Sequence, residues 1–284
     1  MFRLLFGEYI LPYSVFSMGG RCNSGDEEVR SALLRGFSQI IVLGAGNDTR
    51  LHRLAPLPQH LFEVDAELTQ KFKLRHLPAE VVNRDVVFLP VNFEDESWLE
   101  RLRATGGEGV LQRKTLIIWD GVSYYLSAAA IRQTLSCVAA FPAGSRLIFD
   151  VCNPNPKQLA KINRVFTFLF GEPWLSVFNE DSLRSLLSEH GLRLEGAEGE
   201  GLTDAANWAR HSSDPAFEGK VRIPRPDMPA EDSLQRPFLL AAAVVLEKDQ
   251  EMEGGKQTNG GSPSNQGAKS GPWELINSDD NSEV

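Results

Sequence analysis

Residues 40–53 read Ile-Ile-Val-Leu-Gly-Ala-Gly-Asn-Asp-Thr-Arg-Leu-His-Arg, and this stretch decides the fold. Its apolar run is typical of a strand that is buried on both faces, and the run ends at Gly44. The chain then turns through Gly44, Ala45 and Gly46 towards a helical pattern. Glycines at such a turn let backbone amides approach a ligand closely, and the following helix N-terminus offers unpaired N–H groups. The stretch therefore predicts a strand, a glycine turn and a helix at a ligand-binding edge.

On both sides of this stretch, short apolar runs alternate with amphipathic ones. The apolar runs predict strands at 39–44, 60–65, 86–91, 115–120, 145–151 and 238–247, with 192–197 as a weaker candidate. The amphipathic runs predict helices at 26–34, 67–77, 97–104, 128–140 and 180–190. Strands that alternate with helices imply an α/β fold with a mostly parallel sheet and helices on both faces. We expect seven strands and a small helical cap built from 1–20, 154–178 and 203–235.

Composition excludes several classes of protein. The 284 residues carry a formal net charge of −9, which disfavours a nucleic-acid partner because phosphates are held by clustered Lys and Arg. The three scattered cysteines indicate a reducing compartment, and the histidines show no metal-ligand spacing. No run approaches the ~18–20 apolar residues of a membrane span. We therefore expect a cytoplasmic protein with no metal, nucleic-acid or membrane partner.

The same composition divides the chain into three parts. Residues 1–20 are predicted to form an N-terminal cap segment, and 21–248 the folded domain. Residues 249–284 are acidic and rich in Gly and Ser. Too little apolar surface is available in that tail to offset the cost of ordering it, so the tail is predicted to be disordered.

Polar residues end the predicted strands that follow the glycine turn. Asp65 lies 19 residues after Gly46, near the spacing at which an acid hydrogen-bonds a ribose diol. Asn92 and Phe93 end the third strand, where an amide and an apolar side chain suit the edge and face of an adenine. Asp120 ends the fourth strand. Because the carboxyl ends of parallel strands meet at one edge, these residues are expected to point into one crevice.

Four segments match the motifs of one family. They are Leu-Gly-Ala-Gly-Asn-Asp-Thr-Arg at 43–50, Arg-Leu at 53–54, Phe-Glu-Val-Asp at 62–65 and Trp-Asp-Gly-Val-Ser-Tyr-Tyr-Leu at 119–126. They resemble the leucine carboxyl methyltransferase-like family of S-adenosylmethionine-dependent enzymes, which includes bacterial small-molecule O-methyltransferases. The resemblance covers roughly residues 17–247. It implies a Rossmann-like class I methyltransferase fold with S-adenosyl-L-methionine as the cofactor.

The resemblance also implies roles for individual residues. Gly44 and Gly46 would pass under the methionine moiety of the cofactor, and Asp65 would bind the ribose hydroxyls. Asn92 and Phe93 match the Asp-Leu pair that the family places at the adenine.

Two charged residues would hold the amino-acid end of the cofactor. Asp120 matches a Glu that faces the amino group in the family. Arg21 matches an arginine that pairs with the cofactor carboxylate, a task suited to the two parallel donors of a guanidinium.

Two further charged residues after the glycine turn are expected to have structural roles. Asp48 is expected to cap the helix after the glycine turn, and Arg50 to form a structural ion pair.

The sequence therefore favours methyl transfer to an oxygen, carboxylate or hydroxyl, of a small-molecule acceptor. An ionised carboxylate needs no general base, and for a hydroxyl the sequence nominates no base. One alternative is a carboxyl methyltransferase that acts on a protein C-terminus. Another is a catalytically degenerate binding protein, which Asn92 and the short segment before Arg21 motivate. A nicotinamide oxidoreductase is disfavoured, because Thr49 stands where the dinucleotide motif needs its third glycine.

Overall fold

The computed structural model describes residues 14–152, 163, 171, 173–196, 202–204 and 238–247, with the backbone alone at 14–20, 202–204 and 238. The tail and most of the predicted cap lie outside these residues. Within the described part of the chain, no helix is both long and apolar enough to span a bilayer.

The helices and strands alternate as the sequence predicts. The helices are α1 (Ser14–Ser31), α2 (Arg50–Arg53), α3 (Glu67–His76), α4 (Trp98–Gly106), α5 (Ala128–Val138) and α6 (Glu180–Glu189). The strands are β1 (Gln39–Leu43), β2 (His60–Asp65), β3 (Val86–Pro90), β4 (Thr115–Trp119), β5 (Arg146–Cys152), β6 (Leu192–Leu194), β7 (Leu202–Asp204) and β8 (Phe238–Val245). The predicted start of the first helix at residue 26 is wrong. The helix begins twelve residues earlier, at Ser14. Its first turns contain Gly19 and Gly20, and glycine weakens a helical pattern, so the sequence did not reveal this start.

One mostly parallel sheet organises the domain. Its strand order is β3-β2-β1-β4-β5-β8-β6, and β7 pairs with β8 beside this path. Strands β1 to β5 are parallel to one another, whereas β8 runs antiparallel to β5, β6 and β7. The sequence predicts seven strands, and the structure adds the three-residue β7. The strand order reverses between β1 and β4, which is where an open α/β sheet forms its ligand crevice.

Both faces of the sheet are covered by helices. In β1, Ile41 and Leu43 pack into the core under α4, α5 and α6. Ile40 and Val42 pack into a second core that includes Val29 of α1. This alternation, with all five residues of β1 buried, is the pattern of a central parallel strand.

A buried charge cluster lies beneath β2 on the α1 side. Glu63 Oε2 lies 2.6 Å from Lys73 Nζ of α3, and its Oε1 lies 3.1 Å from His52 Nε2. The three side chains are at most 3% exposed. On the other side of the ring, His52 Nδ1 accepts the Asn83 N–H at 3.2 Å. The Glu of the Glu-Val-Asp motif therefore anchors α3 and α2 to the sheet.

Candidate functional site

The glycine turn after β1 needs its two glycines for different reasons. Gly44 has φ of +64° and Gly46 has φ of +43°, both in the region that L-residues avoid. A Cβ on Gly44 would lie 2.2 Å from Val122 Cγ2, in the loop after β4. A Cβ on Gly46 would meet nothing closer than 3.9 Å, the Gly44 carbonyl oxygen. Gly44 thus permits contact between two loops, and Gly46 leaves open space for a ligand.

Gly44→Ala should destabilise the fold by about 2–4 kcal/mol, because left-handed strain adds to overpacking against Val122. Gly46→Ala should cost only the strain, about 1–2 kcal/mol. Urea unfolding of the two variants measures the difference. Equal losses would show that the contact with Val122 does not constrain position 44.

Asp65 fastens this turn to β2. Its Oδ2 accepts the Gly46 N–H at 2.5 Å, and its Oδ1 accepts the Ala66 N–H at 2.6 Å. The side chain is half-buried. Burial raises the pKa of Asp65 above its usual value, and the two backbone donors oppose that rise. A carboxylate oxygen can accept more than one hydrogen bond, so each oxygen can also accept from a ribose hydroxyl.

The next predicted pair lies at the end of β3. Asn92 is exposed, donates from Nδ2 to Asp95 at 2.5 Å and accepts the Glu94 N–H at 3.2 Å. Phe93 is only 8% exposed and packs in the core under α4 and α5. Asn92 is therefore exposed to solvent beyond the end of β3, whereas the Phe93 ring lies in the core.

Arg21 reaches the crevice from α1 and is held by β5. Its Nη1 donates to Asp150 Oδ2 at 2.7 Å, and Oδ1 of the same carboxylate accepts the Gly121 N–H at 2.6 Å. Burial is the largest single influence and lowers the pKa of Arg21, but the charges of Asp150, Tyr124 and Asp120 and the hydrogen bond to Asp150 together outweigh it, so the pKa is raised. Asp150 is fully buried and is not among the residues predicted for the site. The sequence did contain one sign of a role for this residue, because Asp150 is an acid inside the otherwise apolar run of β5.

Asp120 at the end of β4 is held in a similar way by Arg50. Arg50 Nη1 donates to Asp120 Oδ2 at 2.7 Å, which confirms the predicted ion pair of Arg50. Asp48 Oδ1 accepts the Arg50 N–H at the start of α2, although Thr49 is the N-cap residue. Burial raises the pKa of Asp120, against the opposing charge of Arg50. Arg21 and Asp120 thus place opposite charges on one rim, each fixed by a buried partner.

A cavity of about 250 Å³ borders these two charges. It lies between α1 and the β5–β8 part of the sheet rather than over the glycine turn. Ile148, Leu240 and Ala242 give it an apolar wall, and Arg146 lies at the other end. Arg146 Nη2 lies 2.8 Å from a Glu195 oxygen, so its charge is partly neutralised.

The strand order, with β8 inserted antiparallel between β5 and β6, defines the class I methyltransferase fold. A crystal structure of a "putative methyltransferase" from Thermobifida fusca shares this fold, with a TM-score of 0.56 and 16% identity over 84% of this chain and 85% of that one. Residues 11–139 match the model of the leucine carboxyl methyltransferase family. The predicted resemblance to that family is thereby confirmed over a region that contains the seven predicted site residues.

Two relatives are similar over part of the chain. YktD of Bacillus subtilis is 30% identical over 186 residues, which are 61% of this chain and 59% of YktD. SCO7813 of Streptomyces coelicolor is 32% identical over 136 residues, which are 46% of this chain and 47% of that protein. Both are named "Putative S-adenosyl-L-methionine-dependent methyltransferase". The chain thus spans less than two thirds of the length of either relative.

Proposed function

We propose that this protein is a methyltransferase that binds S-adenosyl-L-methionine across the carboxyl ends of β1 to β4. The observation that carries the proposal is the pair of opposite charges, Arg21 and Asp120, beside the glycine turn at the point where the strand order reverses. A methionine moiety carries a carboxylate and an ammonium group, which this pair complements. The family match over residues 11–139 and the names of the two relatives point to the same cofactor.

The residues of the crevice fit such a ligand. Arg21 would bind the carboxylate and Asp120 the ammonium group of the methionine moiety. Asp65 would accept hydrogen bonds from the ribose hydroxyls while it continues to hold the Gly46 N–H. The open space beside Gly46 would let the ligand lie against the backbone, and Asn92 and Phe93 would adjoin the adenine.

We further propose that the acceptor atom is an oxygen of a small molecule. The bound cofactor supplies a sulfonium whose methyl group is already electrophilic, so the protein has mainly to orient the acceptor and exclude water. Tyr124 lies in the loop after β4 and is buried, which raises the pKa of its phenol well above the ordinary value and makes it a poor general base. A carboxylate acceptor is already ionised and requires no general base. A cavity of about 250 Å³ beside Arg21 and Asp120 suits a compact acceptor better than a folded protein's C-terminus.

Titration calorimetry with S-adenosylhomocysteine tests the cofactor, and we expect a saturable heat. Tritiated methyl from S-adenosylmethionine, added with a cell extract, then tests the acceptor. Label in extractable small molecules is the expected result, and release of the label by mild base distinguishes an ester from an ether. Label in base-labile protein esters would favour a protein carboxyl methyltransferase. Binding without any transfer would favour the degenerate binding protein.

The division at residue 248 is part of the proposal. A chain that ends at 248 should bind S-adenosylhomocysteine as tightly as the full chain, because the seven proposed cofactor residues precede that point. A weaker affinity of the shortened chain would mean that the tail takes part in the site.

A further inference from the structure

Arg50 is buried among three carboxylates. Its Nη1 donates to Asp120 Oδ2 at 2.7 Å, and its Nε lies 3.3 Å from Asp48 Oδ2 and 3.6 Å from Asp26 Oδ1. The Arg50 side chain is 4% exposed. Its pKa is raised: burial lowers it, but the charges of Asp120 and Asp48 more than compensate. The guanidinium therefore stays charged and has little freedom to move.

The bond from Arg50 fixes one oxygen of Asp120. It engages Oδ2, and the carboxylate is 13% exposed at the crevice and cavity wall. The terminal torsion of an aspartate is otherwise broad, so an unheld carboxylate would sample many orientations. With Oδ2 held from behind, Oδ1 keeps one direction and is free to accept from a ligand.

Helix α1 makes room for the guanidinium at Gly25. A Cβ on this residue would lie 2.5 Å from Arg50 Nη1 and 2.6 Å from Arg50 Cζ. Gly25 lies inside α1, where alanine is the better helix former. The glycine therefore disfavours the helix locally, and the packing of Arg50 against it gives a reason for its presence.

We propose that Arg50 is a positioning residue, which aims the Asp120 carboxylate at the α-ammonium group of the cofactor. This inference rests on the proposed function. Recognition of the amino group then depends on two residues from different parts of the domain, Arg50 of α2 and Asp120 at the end of β4. A nucleoside ligand that lacks the amino-acid part does not contact this pair.

Two ligands and two variants test this inference by titration calorimetry. S-adenosylhomocysteine carries the amino group, and 5′-methylthioadenosine lacks the whole amino-acid part. Gly25→Ala displaces the guanidinium without removing a charge, and Arg50→Lys keeps the charge but loses the planar fork. Both variants should bind S-adenosylhomocysteine about 10- to 100-fold more weakly, which is the worth of one hydrogen bond to a charged group. Both should bind 5′-methylthioadenosine as the wild type does.

Gly106→Ala is the matched control. A Cβ there would lie 2.5 Å from Val110 Cγ1, at the end of α4, away from Arg50. This variant should lose stability and keep its affinity for both ligands. Equal weakening of both ligands in Gly25→Ala, or weakening of neither, would overturn the role of Arg50, as would a selective loss in Gly106→Ala. Absence of binding by the wild type would instead overturn the proposed function itself.

Discussion

Lys73→Met should lower the free energy of unfolding by about 3–5 kcal/mol, because it leaves the Glu63 carboxylate buried without its cation. Lys73 Nζ lies 2.6 Å from Glu63 Oε2, and the two side chains are 3% and 1% exposed. The imidazole of His52 provides one remaining polar neighbour. Urea unfolding followed by circular dichroism measures the loss.

A second ion pair on the same helix provides the control. Lys71 Nζ also lies 2.6 Å from a carboxylate oxygen, that of Glu67, but both partners are more than half exposed. Lys71→Met should scarcely change stability, because water solvates the carboxylate that remains. The double variant Glu63→Gln/Lys73→Met should recover much of the loss, since no buried charge is left. Similar losses for the Lys73 and Lys71 variants would contradict the assignment of Glu63 and Lys73 as a buried structural pair.

Asp65→Ala should weaken the binding of S-adenosylhomocysteine by about 100-fold or more. Each hydrogen bond to a charged group is worth about 1.5–3 kcal/mol, and the ribose diol offers two donors to this carboxylate. The variant also leaves the Gly46 and Ala66 N–H groups without their acceptor, but both are near the crevice, where water can replace it. The affinity should therefore fall by far more than the stability. Titration calorimetry measures the affinity and urea unfolding measures the stability of the same variant. A loss of stability with unchanged affinity would show that Asp65 is not part of the binding site.

The same residue predicts the pH dependence of binding. The ionised carboxylate accepts from the ribose, so affinity should fall as acidification protonates Asp65. Because burial raises the pKa of Asp65, this fall should begin at a higher pH than for an ordinary aspartate, whose pKa is about 3.9. Asp65→Ala should lack this component when both proteins are titrated over the range in which they remain folded.

The strands of the sheet were predictable because a parallel strand that is buried on both faces has a nearly continuous apolar sequence. β1, β2 and β4 lie within the predicted ranges, and their ends bring Gly44, Asp65 and Asp120 to one edge. The first helix was harder, because paired glycines conceal its beginning. The short β7 has three residues, too few for a pattern to stand out against a loop.

The partners of the charged residues could not be predicted, because an ion pair between distant segments leaves no local pattern. Arg21 and Asp150 are 129 residues apart, and Arg50 and Asp120 are 70 apart. Phe93 illustrates the same limit. An aromatic residue after a strand suits either a ligand or the core, and the packing of α4 and α5 placed it in the core.

The sequence by itself determined the order of strands and helices, the glycine turn and the acids at the strand ends, since each depends on neighbouring residues and on the backbone conformation they allow. Only the tertiary structure decided which carboxylates are available to a ligand. It buried Glu63 with Lys73 and Asp150 with Arg21, whereas Asp65 and Asp120 remain at the crevice. A charge is stable in the interior only beside a partner, and folding alone brings such partners together.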